Sequence, residues 1–227
     1  MKVKTIWLLA LIACSVAAGQ KTTEANATSR FALGVEGGTT GLGGSVWFTA
    51  SKQFTFNAGY GSLSEDKDYS TDGVDYSGNV DLSNGYATIQ WHPGGGGFHL
   101  LAGVVFTENS VNVVGRPESG TTYDLDGVEY PASLVGTIVG DVEWDNSTAP
   151  YIGFGFSKKP EGKGWGAYIN AGVMDAGSAV ARLEATGLIA DQPQFESDLR
   201  AEEQDLNDEL DEFDLYPVVR LGVMYRF

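Results

Sequence analysis

The sequence predicts an all-β protein: an eight-stranded antiparallel transmembrane β-barrel with a short helix in its last outer loop. Three observations predict it. Apolar residues recur with a period of two over segments of about ten residues, as in strands whose side chains point alternately to opposite faces. Aromatic residues gather near the ends of those segments, namely Trp47, Phe48 and Phe54, Trp91 and Phe98, Trp144, Trp165, and Tyr216 and Phe227, as in the girdles of membrane barrels. The final alternating segment runs Val219, Leu221, Val223, Tyr225, Phe227.

Composition narrows the field. The 227 residues carry 30 acids against 14 Lys plus Arg, a net charge of −16, with one cysteine and 31 glycines. A helical membrane protein needs apolar runs of about 20 residues, and past residue 20 there is none. Cys14 has no second cysteine to pair with, which excludes a disulfide scaffold. The acid excess argues against a nucleic-acid partner, which needs a basic face. With 42% hydrophobic and 11% aromatic residues the chain is not a disordered one.

The first element is an address. Two lysines in Met1–Lys4, the apolar run Ile6–Ala13 and the small residues Ala17, Ala18 and Gly19 form a secretory signal peptide over 1–19. Leu11-Ile12-Ala13-Cys14 also resembles a lipobox, so lipidation of Cys14 stays open. Residues 20–30 are polar and form a flexible leader. The barrel is expected over 31–227.

The strands follow in order. Phe31–Gly37 and Leu42–Thr49 form a first hairpin across Gly38-Thr39-Thr40-Gly41, which keeps the strand number even. Phe54, Phe56, Ala58 and Tyr60 then share one face. So do Phe98, Leu100, Ala102, Val104 and Phe106. Ile152, Phe154 and Phe156 share another, as do Trp165, Ala167, Ile169, Ala171 and Val173. The opposite faces are rich in glycine. Short turns are expected at 50–53, 92–97 and 158–164, and long connections at 62–78, 108–133 and 184–215. The long ones hold 22 of the 30 acids, opposed by Lys67, Arg116 and Arg200. The acids therefore collect at one end of the barrel, the outer one. In the last connection Phe195, Leu199, Leu206, Leu210 and Phe213 recur at helical spacing. This reads as an acidic amphipathic helix over 195–213 that packs on the rim or binds a partner.

Several stretches resemble a known family. Gly38-Thr39-Thr40-Gly41-Leu42-Gly43-Gly44, Ile89-Gln90-Trp91-His92-Pro93, Ala149-Pro150-Tyr151-Ile152-Gly153-Phe154-Gly155-Phe156, Trp165-Gly166 and Pro217…Arg220-Leu221-Gly222-Val223 are similar to the CarO-type ornithine uptake porins. The resemblance implies an eight-stranded outer-membrane barrel associated with uptake of ornithine and other basic amino acids. It carries over no substrate-binding residue.

The sequence is compatible with three functions. A transport barrel would use its acidic mouth to concentrate cations and repel anions. Its inward-facing lumen candidates are Glu36, Asn57, His99, Asn170, Arg220 and Arg226. Eight strands leave an interior just wide enough for side chains to fill, so these residues also read as a structural plug. Glu36 is then expected to pair with Arg220 or Arg226. A structural, OmpX-like barrel would act through its loops. An enzyme would need a nucleophile and a base within reach. The only histidines are His92 and His99, and no Ser stands two places after His99, so no catalytic residue is assigned. Asp66-Lys67-Asp68 and Asp124-Leu125-Asp126 lack calcium-loop spacing. Neither metal nor cofactor is expected. The expected partners are outer-membrane lipid, the assembly machinery and small cationic solutes.

Tyr225 and Phe227 form the expected assembly signal. Deleting Phe227 should lower the level of folded barrel in the outer membrane while leaving export intact. Fractionation with heat-modifiability gels checks this, and normal outer-membrane levels would reject the signal.

Overall fold

Lipid offers no hydrogen-bond partner to a sheet edge, so a membrane sheet must close on itself. This one does. The computed structural model describes residues 30–71, 73–118, 120–210 and 215–227. The signal segment 1–19, nearly all of the leader 20–30, and Phe213 of the helical stripe lie outside the described residues.

Eight strands form the ring: β1 (Phe31–Gly38), β2 (Gly41–Thr49), β3 (Phe54–Thr71), β4 (Val74–Trp91), β5 (Phe98–Thr107), β10 (Thr148–Lys158), β11 (Gly164–Asp175) and β13 (Leu215–Arg226). Each pairs antiparallel with the next, β13 returns to β1, and β4 pairs with β5. The other strands leave the ring. They are β6 (Ser110–Pro117), β7 (Thr122–Leu125), β8 (Val128–Pro131), β9 (Ile138–Trp144) and β12 (Ala179–Ala185). Two helices complete the chain, α1 (Ala132–Val135) and α2 (Pro193–Leu210). No described helix is long and apolar enough to cross a membrane, which says nothing against crossing by strands.

The first hairpin forms as expected, with Thr39 and Thr40 at its tip. Gly41 takes φ +99°, a conformation that glycine alone adopts without strain, and a Cβ there would lie 2.7 Å from the Ser62 backbone. The tip is short because its neighbours hold it. Thr39 Oγ1 donates to Pro217 O (3.0 Å), and the Tyr216 hydroxyl donates to Thr39 O (2.9 Å). Asn84 Nδ2 donates to Thr40 O (3.3 Å).

The connection at 62–78 is largely strand. β3 and β4 have 18 residues each. A tilted membrane strand needs about 9–11 residues, so about eight remain, reaching roughly 25 Å beyond the bilayer. The outward face marks where lipid ends. Along β3 it reads Phe54, Phe56, Ala58, Tyr60, then Ser62, Ser64, Asp66, Asp68. Along β4 it reads Trp91, Ile89, Ala87, Gly85, then Ser83, Asp81, Asn79, Ser77. Tyr60 and Ser83 hydrogen-bond across this boundary (3.0 Å).

Above the boundary β4 exchanges β5 for β6, and β9 and β12 extend the sheet outward. Its polar face is tied by cross-strand bonds, Asn79 Nδ2 to Asp66 Oδ1 (2.8 Å) and Asn112 Nδ2 to Asp141 Oδ1 (2.6 Å). A second core forms from Val74, Tyr123, Leu125, Ala132, Val135, Ile189, Phe195 and Leu199. The stripe of α2 therefore finds its partner within the chain through Phe195 and Leu199.

α2 also caps the sheet edge. β12 pairs with β9 on one side only. On the other side Asn207 Oδ1 accepts from Ala181 N (2.7 Å) and Asn207 Nδ2 donates to Ala181 O (3.1 Å). Glu203 Oε2 accepts from Leu183 N (2.7 Å), and Arg200 Nη1 donates to Leu183 O (3.3 Å). Helix side chains thus stand in for a missing strand and blunt an aggregation-prone edge. Asn207→Ala should release both bonds at Ala181, at a cost of about 1–2 kcal/mol. Hydrogen exchange at the Ala181 amide should quicken about tenfold or more. Unchanged protection would mean that the helix does not hold the edge.

Candidate functional site in the barrel lumen

Alternation places one residue in two on the inside. Here inward large side chains face inward glycines. A Cβ on Gly59 would lie 2.5 Å from Tyr86 Oη, and one on Gly222 2.7 Å from Tyr168 Oη. One on Gly153 would lie 2.8 Å from Tyr151 Oη, and one on Gly155 2.3 Å from Asn170 Oδ1. These four glycines therefore make room for side chains that cross the lumen. Trp47 is one of them. It is buried inside the barrel, 1% exposed, and its Nε1 donates to Ser45 Oγ (3.0 Å), so it is no part of a lipid-facing girdle.

The lumen has three regions. Toward the long connections it is apolar, filled by Leu101, Val105, Ala149, Met174, Ala176 and Val218 with Tyr86 and Tyr151. In the middle Glu36 accepts hydrogen bonds from the hydroxyls of Tyr86 (2.7 Å) and Tyr168. Tyr168 also contacts Ser45 Oγ (3.2 Å) and packs edge-on against Trp47. Arg220 lies beside this group, 1% exposed, its guanidinium carbon 3.7 Å from the centre of the Tyr86 ring and 5.3 Å from that of Tyr151. Such cation–π stacking holds a guanidinium by its face and leaves its edge free.

Toward the short turns the lumen is polar. His99 Nδ1 donates to Gly97 O (3.0 Å), and its Nε2 meets the Asn170 amide (2.9 Å). Asn57 Nδ2 donates to Val46 O (3.2 Å). Lys159 donates to Thr55 Oγ1 (2.7 Å) and to His92 Nε2 (2.9 Å), while His92 Nδ1 donates to Gly96 O (3.0 Å). Arg226 donates to Pro160 O (3.0 Å) and Thr49 Oγ1 (3.1 Å).

All six sequence-predicted lumen residues lie on inward faces, but they do not form one cluster. His99 and Asn170 meet directly, and Asn170 is opposite Arg220 in the β11–β13 register. The expected ion pair of Glu36 with Arg220 or Arg226 does not form. β1 and β13 do adjoin, with Glu36 opposite Gly222 and Arg220 opposite Gly38. The Tyr86 side chain stands between, its hydroxyl on Glu36 and its ring under Arg220. Arg226 instead caps the turn at the bottom of β10. Sequence reasoning missed Tyr86, Tyr151 and Tyr168. For two of them the signal was present: Tyr151 and Tyr168 are the bulky residues on glycine-rich faces, whereas Tyr86 sits among Asn84, Thr88 and Gln90 and nothing in its own strand marks it.

This is the fold of outer-membrane barrels: a closed antiparallel ring, apolar outside, with a polar and aromatic lumen. No family model and no curated protein matches the chain by sequence. The chain is similar in structure to the crystal structure of Acinetobacter baumannii CarO2, with a TM-score of 0.64, 24% identity, and coverage of 89% of this chain and 100% of that one. It is likewise similar to Acinetobacter baumannii CarO, with a TM-score of 0.62, 25% identity, and coverage of 88% and 98%. The chain has the fold of the CarO-type barrels, and the family resemblance read from the sequence holds at the level of structure.

Burial, then the charge of Lys159, lowers the pKa of His92 from 6.5 to about 4. A depressed His favours the neutral form in the folded state, so the unfolded chain binds more protons between those values. Acidification from pH 6.5 toward 4 should therefore destabilise the barrel. His92→Gln, which keeps a hydrogen-bonding amide without a titrating ring, should flatten that part of the slope. Urea titrations in lipid at pH 7 and pH 5 measure it, and an equal slope in both proteins would count against the argument.

Proposed function

We propose that this chain is a porin-like barrel of the outer membrane that admits small cationic solutes, basic amino acids in particular. In this reading segment 1–19 directs export, and the assembly machinery reads Tyr225 and Phe227. One observation carries the transport reading: the charge polarity along the barrel axis. The three long connections hold 22 of 30 acids, and the short turns hold Lys52, Lys158, Lys159 and Lys163 against Glu161. A mouth of that sign raises the local cation concentration and lowers that of anions. Glu36 continues the same sign into the lumen, where its two tyrosine partners orient it.

The apolar region formed by Val105, Ala149, Met174 and Val218 favours a second reading, a non-conducting surface barrel that acts through its acidic outer sheet and helix. Passage in the first reading proceeds by parting of this region.

Uptake by proteoliposomes separates the two. Ornithine should enter faster than glutamate, by about tenfold at low salt, and the ratio should shrink as salt screens the mouth. Absence of flux for either solute would support the surface barrel.

A further inference from the structure

Arg220 is an isolated cation in a closed interior. Its Nε and Nη2 are buried and have no hydrogen-bond partner among the described residues. These two nitrogens form one edge of the guanidinium. Their N–H bonds run parallel at the spacing of a carboxylate's two oxygens, the geometry of bidentate recognition. Leaving a buried charged donor unpaired is costly, so this edge is a defect for stability and an asset for a ligand that fits it.

The surroundings set the chemistry of that ligand. The Tyr86 and Tyr151 rings fix the guanidinium plane. Tyr86 also hydrogen-bonds Glu36, so a fixed anion lies one tyrosine ring from the fixed cation. Each Glu36 oxygen accepts one tyrosine hydroxyl, and a carboxylate oxygen can accept another bond. The tyrosines differ in how they are held. Tyr86 and Tyr168 are anchored on Glu36, whereas the Tyr151 hydroxyl is buried without a partner among the described residues and stands over Gly153, with its ring over Gly172. The Tyr151 ring can swing from Arg220 without breaking a hydrogen bond.

We propose that the Nε–Nη2 edge of Arg220 is a carboxylate-binding site inside the barrel. It takes the carboxylate of a basic amino acid, while an ammonium group of the same molecule meets Glu36 and Tyr151 swings aside to admit it. This deepens the transport reading and rests on it for the ligand class. The acidic mouth selects for positive charge alone; Arg220 adds a requirement for a carboxylate. The pair would therefore distinguish an amino acid from the diamine left when its carboxylate is removed.

The test is calorimetric binding to the full-length folded barrel in detergent, with ornithine and putrescine as probes. These two cations differ by the carboxylate. Wild-type protein should bind ornithine at least about tenfold more tightly, the scale of a charge-assisted pair of hydrogen bonds. Arg220→Lys keeps the charge and loses the fork, and Arg220→Met loses both. Heat-modifiability verifies that each variant is folded. Both should bind ornithine no better than putrescine. Equal binding of the two probes by the wild type, or no binding of either, overturns the site whatever the variants do. Retained preference in folded Arg220→Met overturns it as well. Carboxylate-dependent binding without liposome flux would uphold the site and reject transport.

Discussion

The width of the ring governs this protein. Eight strands enclose a cylinder that side chains alone can fill, so every large inward residue must be matched by an absence elsewhere on the wall. Glycines supply the absences. Gly59 makes room for Tyr86, Gly153 and Gly172 for Tyr151, and Gly222 for Tyr168. This pairing of bulk with void places aromatic rings across the lumen, and the rings then decide how the charges sit. Tyr86 orients Glu36 and Arg220 at once, separating two charges that the β1–β13 register would otherwise bring together.

The second organising feature is the solvent along the strand. β3 and β4 do not stop where the bilayer does. Their outward faces change from Phe, Ile and Trp to Ser, Asn and Asp within one pair of residues, while the backbone ladder continues. Above that line water can solvate polar faces, and the sheet is free to open and recruit further strands. It then has an edge, and α2 covers it with Arg200, Glu203 and Asn207. The helix is acidic because its other side faces water.

Charge is thereby sorted along the axis. Acids occupy the outer sheet, its hairpin and α2. Lysines occupy the short turns, where Lys159 is partly buried against His92 and Thr55, and burial lowers its pKa to about 8. Between these ends lies a lumen with one tyrosine-bound carboxylate and one stacked guanidinium. The acidic end attracts cations, and beneath it an apolar region separates that end from the polar centre of the lumen.

Much of the fold was legible in the sequence because the strand period is two and lipid demands apolar residues on one face. The first hairpin, the short turns, the inward parity of Glu36, Asn57, His99, Asn170, Arg220 and Arg226, and the acidic helix all follow from local pattern. The content of the long connections did not: polar strands such as β6 and β9 face water on one side and a small core on the other, and their alternation is too weak to stand out from loop composition. Trp47 was misleading: an indole near a strand end suits a girdle, but its strand neighbour Val46 takes the lipid face, and Trp47 packs inside, edge-on against Tyr168 from across the ring. What the sequence by itself determined is which face each residue takes, since backbone geometry alternates regardless of context. What only the tertiary structure decided is which inward residues meet, because that depends on ring closure, strand register and the voids left by glycines far apart in the chain.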